Sequence, residues 1–123
     1  MNIFKPKNES DVAQIIRETN QGLNIIGGGT RGVVESGENS IETKGLSGII
    51  DYQPGALTMI AQAGTPLKEI ESALSKEGQR LPFEPMNSRA LLGRVGSPTI
   101  GGVFAANISG PRRIQVGAAR DFL

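Results

Sequence analysis

The chain has 123 residues, 37% of them hydrophobic but only 4% aromatic, which suits one modest domain or two small lobes packed on an aliphatic core. Thirteen basic residues against twelve acidic leave a net charge of +1, without the strongly basic face of a nucleic-acid binder. Cysteine and histidine are both absent, which removes disulfides, thiolate metal sites, thiol nucleophiles and imidazole bases, so difficult chemistry falls to a cofactor.

The stretch MNIFKPKNES lacks the apolar segment of a signal peptide, and no run approaches the ~18 apolar residues of a membrane span. A cytoplasmic location is expected. A helix is expected over 8–22, where Val12, Ile15, Ile16 and Thr19 recur on one face, Ser10 can cap, Asp11 lies in the first turn and Gly22 suits the end. Leu23 to Ile26 reads as a short buried strand. Further strands are expected at 40–43 and 48–52, closed by a Gln53-Pro54-Gly55 turn. Leu57 to Ala63 has the composition of another strand.

Thr65 and Pro66 then read as an N-cap and first helical residue, with Leu67, Ile70 and Leu74 as the apolar face and Gly78 as the stop. Residues 79–98 read as loop around Pro82, Pro85 and Pro98, and 99–108 as a short helix with Ile100, Val103 and Phe104 inward. Phe122 and Leu123 are apolar and come after no cap or turn, so a fragment of a longer protein is expected, with a docked C-terminus as the alternative.

Glycine is the anomaly: 17 residues, about twice an average usage of roughly 7%. Many gather in two blocks, Gly22 to Gly48 and Gly93 to Gly117, interleaved with aliphatics as in backbone brought close to something. The first block contains IIGGGTRG, Ile25 to Gly32, which matches the G-x-G-x-x-G spacing of a Rossmann dinucleotide loop. A Rossmann unit also needs a helix starting within the motif. The residues after Gly32 read VVESGENSIET, with no helical periodicity, and neither Glu42 nor Asp51 sits on a persuasive strand-end spacing for a ribose contact. The Rossmann fold is therefore set aside.

Four glycines in six positions still exceed what a simple turn needs. Gly27, Gly28, Gly29 and Gly32 let consecutive N–H groups converge on an anion, with Thr30 adding a hydroxyl and Arg31 a charge. A phosphate-type site is favoured over a bare turn. In the second block, Gly101 and Gly102 occupy the first turn of the expected helix, where each costs roughly 1 kcal/mol relative to alanine. Either close ligand approach at a positively polarised helix end or tight helix packing accounts for them.

Four segments in order carry a family resemblance: IIGGGTRG, AGTPLKEIESALSKEGQRLPFEP (Ala63 to Pro85), TIGGVFAANISGPRR (Thr99 to Arg113) and the closing VGAARDFL. They resemble the FAD-binding domain of the vanillyl-alcohol-oxidase type, the PCMH fold. Within it, the run Ser109 to Arg113 followed by Gly117 and Arg120-Asp121 is most similar to the FAD-binding subunit of bacterial glycolate oxidases. The resemblance implies an α+β fold of two lobes, a small parallel β/α lobe (1–53) and the start of a mainly antiparallel β lobe (54–123), with the substrate-binding cap domain absent.

The resemblance also implies that Gly27, Gly28, Gly29, Thr30, Arg31 and Gly32 cradle the FAD pyrophosphate. Pro82 would lie alongside the cofactor, and Thr99, Gly101 and Gly102 would line it. Ser109, Gly110 and Gly117 would approach the ribityl chain and flavin ring, and Asp121 would fix the closing loop. Some relatives tether flavin through histidine or cysteine; this chain has neither, so FAD is expected to be non-covalent. No residue is placed to abstract a substrate proton, and no metal ligand set is present, so no catalytic or metal residue is assigned.

The expected activity is oxidation of a small 2-hydroxy acid by an FAD-dependent oxidoreductase, with the substrate bound by regions outside this chain. Other subunits are expected, including an Fe–S subunit, with attachment to the inner face of the membrane through such partners. The alternative is a non-catalytic flavin-binding or electron-relay subunit that needs partner chains. A sugar-nucleotide module using the same loop is a third possibility.

Overall fold

The computed structural model describes residues 2–27, 39–82, 98–106 and 123. Its first element, β1 (Ile3–Phe4), was not expected from the sequence, because two residues carry no periodicity. Helix α1 (Glu9–Glu18) is capped by Asn8, not by Ser10: Asn8 Oδ1 accepts from the Asp11 amide at 2.8 Å. Asp11 Oδ2 in turn accepts from the Lys7 amide at 3.1 Å. The helix stops at Glu18, short of the expected Gly22, because Thr19 is extended and its hydroxyl donates to Ile15 O at 2.6 Å.

Strands β2 (Leu23–Ile26) and β3 (Asn39–Glu42) pair in parallel, with Ile26 opposite Glu42. β1 lies on the other side of β3, also parallel, giving the order β1–β3–β2. A central parallel strand is covered on both faces, and Ser40 and Ile41 are accordingly buried.

A 3₁₀ turn, Thr43–Gly45, leads to β4 (Ile49–Gln53), which pairs antiparallel with β5 (Thr58–Ala61). Pro54–Ala56 forms a second 3₁₀ turn between them, and Leu57 closes it in the left-handed region at φ 56°. The lobe boundary expected after residue 53 falls inside this hairpin. Small parallel and antiparallel sheets with helices make the expected α+β architecture.

Helix α2 (Leu67–Lys76) lies where its apolar face predicts, with Leu67, Ile70 and Leu74 buried. Its start corrects the expected cap. Pro66, not Thr65, holds the N-cap position, and no side chain caps the helix. The Leu67 amide donates instead to Pro98 O at 2.9 Å. Gly78, at φ +68°, ends α2 in a Schellman motif: its own amide bonds Ser75 O and the Gln79 amide bonds Leu74 O. Helix α3 (Ile100–Ala106) places fully buried Val103 against Leu67, with Leu81, Ile100 and Phe104 packed around them.

Candidate functional site

β2 and β3 run in the same direction and end together, so Gly27 and Thr43 leave the sheet side by side. In open α/β sheets the carboxyl ends of parallel strands are where ligands bind. The Thr43 hydroxyl donates to Ile26 O, the last carbonyl of β2, at 3.3 Å. On the other side of Gly27 stands Thr99, 5% exposed, whose Oγ1 accepts from the Gly102 amide at 3.2 Å and so caps α3. A Cβ on Gly27 would meet Thr99 Oγ1 at 2.8 Å and Thr43 Oγ1 at 3.7 Å. The segment thus leaves β2 as bare backbone between two hydroxyls.

Both hydroxyls are rigidly mounted. Thr43 is backed by Gly64, where a Cβ would meet the Thr43 carbonyl carbon at 2.7 Å and Leu46 O at 2.8 Å. Residue 64 is tied there by its own amide, which donates to Leu46 O at 2.8 Å. Thr99 forms an isolated antiparallel bridge with Pro66, and the Ile100 amide donates to Thr65 O at 2.9 Å. The next amide, of Gly101, donates to Ala63 O at 2.8 Å. The contacts therefore run in a ring: Gly27 to the Thr43 hydroxyl, Thr43 to Gly64, Ala63 to Gly101, and the Thr99 hydroxyl back to Gly27.

Of the expected site residues, the structure brings Gly27, Thr99 and Gly102 together, with Gly101 one step behind them. At Gly101 the neighbour is protein, because a Cβ would meet Ala63 O and Ala63 Cβ at 2.7 and 2.8 Å. Pro82 is exposed, one residue beyond Leu81, which packs on the Leu67–Val103 core. Gly28, Gly29, Thr30, Arg31, Gly32, Ser109, Gly110, Gly117 and Asp121 lie outside the described residues.

Sequence reasoning missed Thr43 and the Ala63-Gly64 pair. The register of Ile26 with Glu42 was the missing signal: it puts residue 43 beside the glycine loop. Glu42 ends β3, one residue before the end expected at 43. Its carboxylate is engaged with Lys44 at 3.5 Å and Lys5 at 4.0 Å. Among the described residues, no helix is long and apolar enough to cross a membrane.

A parallel sheet whose strand end places Gly27 against the glycine-bearing start of a helix is an arrangement suited to a nucleotide cofactor. The chain belongs to the FAD binding domain family, whose model matches residues 2–123. Among curated proteins it is 42% identical over 76 residues to glycolate oxidase subunit GlcE of Escherichia coli (strain K12), covering 62% of this chain and 20% of that one. It is 27% identical over 128 residues to D-2-hydroxyglutarate dehydrogenase of Xanthomonas citri pv. viticola, covering 98% of this chain and 26% of that protein. Two solved structures of alkyldihydroxyacetonephosphate synthase share the fold, with TM-scores of 0.72 and 0.69 at 22% and 21% identity. Each match covers 97% of this chain and 23% of the synthase. The chain thus spans about a fifth to a quarter of these relatives' length.

The residues present fit FAD as far as they are described. Gly27 is bare because Thr99 Oγ1 takes the space of a side chain, which leaves its peptide groups uncovered by any side chain of its own. Around it stand neutral hydroxyls and peptide groups, suited to hydrogen-bonding a dinucleotide.

Proposed function

We propose that this chain forms the first part of the FAD-binding region of an oxidoreductase acting on a small 2-hydroxy acid. The observation that carries it is the convergence of Gly27 and Thr99 at the carboxyl ends of β2 and β3 in an FAD binding domain. Two relatives are named for 2-hydroxy acids, glycolate and D-2-hydroxyglutarate.

In this reading Gly27, Gly28, Gly29, Thr30, Arg31 and Gly32 hold the pyrophosphate, through amides and one guanidinium. Thr99, Gly101 and Gly102 line the cofactor, Pro82 flanks it, and Ser109, Gly110, Gly117 and Asp121 complete its binding towards the flavin end. When bound, FAD supplies the two-electron acceptor. The chain's own residues bind and orient it. This chain offers no histidine or cysteine as a tether, which supports non-covalent attachment, and heat or acid denaturation should then release free FAD into the supernatant.

The deciding experiment purifies the full-length protein, titrates it with FAD and assays glycolate and D-2-hydroxyglutarate with a dye acceptor. Binding of FAD with turnover of either acid is the expected result; a protein that never acquires a flavin absorbance band overturns the reading.

A second reading, a flavin-carrying relay subunit, is favoured by the likeness to a protein named as a subunit. This chain has no cysteine, so an iron–sulfur relay in such a complex would be ligated outside these residues. Turnover by the isolated protein rejects the relay; turnover only with co-expressed partners supports it.

A further inference from the structure

The geometry points to Thr43 as a positioning residue for the FAD loop, a role that rests on the proposed FAD site. The hydroxyl of Thr43 reaches across from the end of β3 and donates to Ile26 O at 3.3 Å. That carbonyl belongs to the peptide joining Ile26 to Gly27. Holding it fixes the plane of that peptide, and with it the direction in which Gly27 leaves the sheet.

The mount behind the hydroxyl is firm. Thr43 begins a 3₁₀ turn in which the Leu46 amide donates to Thr43 O at 2.9 Å, and Gly64 packs directly on the same carbonyl. A threonine is also stiff at χ1 because both branches leave Cβ. Thr99 guards the opposite side of Gly27 with its own buried hydroxyl. Two hydroxyls from segments far apart in sequence thus bracket one glycine Cα. Thr43 acts on the peptide, through a hydrogen bond; Thr99 acts by contact.

The charged neighbours do not replace this hydroxyl. Glu42 and Lys44 flank Thr43 in the chain, but they are engaged with each other at 3.5 Å. Substituting the hydroxyl by a methyl removes its bond to Ile26 O while keeping the side-chain shape. The expected consequence is a loop that binds FAD more weakly, in a protein that still folds.

The test compares wild-type, Thr43→Val and Thr43→Ser full-length protein by FAD titration, tracking the quenching of flavin fluorescence, alongside thermal unfolding without FAD. Thr43→Val should raise the FAD Kd by up to about tenfold, the limit reached when the full energy of one hydrogen bond goes into ordering the peptide for FAD. Thr43→Ser keeps the donor and should stay within about threefold of wild type. Wild-type binding with an unchanged Kd in Thr43→Val overturns the positioning role while leaving the FAD site intact. Wild-type protein that does not bind FAD overturns both. If Thr43→Val fails to fold, Thr43→Ser decides: a tenfold loss despite its hydroxyl overturns the role, and near-wild-type affinity supports it.

Discussion

The amide of Gly101 donates to Ala63 O at 2.8 Å, and a Cβ built on Gly101 would stand 2.7 Å from the same oxygen. One glycine thus brings the first turn of α3 against the strand-to-helix turn before α2. Alanine at 101 gains roughly 1 kcal/mol of helix propensity, but forces apart two backbones that cannot rotate away, at about 1–3 kcal/mol. The contact should win. Gly101→Ala is expected to lower the denaturation midpoint, whereas an increase would show that α3 simply slides outward. Gly64→Ala, outside any helix and with no propensity gain, should lose more, about 2–3 kcal/mol. Gly55→Ala meets nothing within 4 Å and should change stability by less than about 0.5 kcal/mol.

Thr65 is fully buried, and its hydroxyl serves three backbone groups: it donates to Gln62 O at 2.7 Å, lies 3.2 Å from Gly48 O, and accepts from the Gly48 amide at 3.0 Å. This knot joins the start of β4 to the end of β5. Thr65→Val keeps the shape but strands the Gly48 amide, so a loss of about 1–3 kcal/mol is expected. Thr65→Ser should recover most of it. Equal stability of wild type and valine variant in urea would mean that the hydroxyl is dispensable.

Thr65 also shows where the sequence stopped being legible. Threonine before proline and an apolar periodicity marks a helix start, and α2 does start there. The same hydroxyl has a choice between local amides and distant ones, however, and only the fold reveals that Gly48 and Gln62 take it. Leu67, Ile70, Leu74 and Val103 were readable as interior from spacing alone. So was the glycine loop at the end of β2. The partner of each bare Cα was not, because Gly27 faces Thr99 and Gly101 faces Ala63 through contacts that no local pattern encodes. Thr43, 17 residues from Ile26, became visible only through the register of β2 and β3.

Tyr52, on β4, donates its hydroxyl to Gln79 Oε1, while Gln79 Nε2 donates to Pro54 O at 2.9 Å. The side chain thereby ties the hairpin to the end of α2. Desolvation, with a smaller push from the Glu77 carboxylate, raises the Tyr52 pKa above the ordinary phenol value. The unfolded chain therefore loses its phenol proton before the folded one. Stability from this group is complete below about pH 10 and is lost as pH climbs through the folded value. As the chain has one tyrosine, its phenolate absorbance can be titrated directly. That titration should lie above a model phenol, and Tyr52→Phe should show a shallower loss of stability at alkaline pH than wild type. Parallel slopes would remove Tyr52 from the account.

Gly27 and Thr99 provide the sharpest test of the site. Gly27 is not in the left-handed region, so alanine there is free of backbone strain and its cost is steric. The added methyl would press on Thr99 Oγ1 at 2.8 Å, a hydroxyl that already caps Gly102. Gly27→Ala should therefore weaken FAD binding by about tenfold, an effect of about 1.4 kcal/mol. Thr99→Ala removes a hydroxyl proposed to line the cofactor, about 1 kcal/mol of FAD affinity, but opens the space that the methyl needs. In the double variant the two losses should not add: the combined effect should fall short of the sum by about 1 kcal/mol, as for residues in direct contact. FAD titrations of the four proteins give this coupling. Additive losses would mean that Gly27 and Thr99 do not press on one another in the folded protein, and the glycine would then have to be explained by the ligand alone.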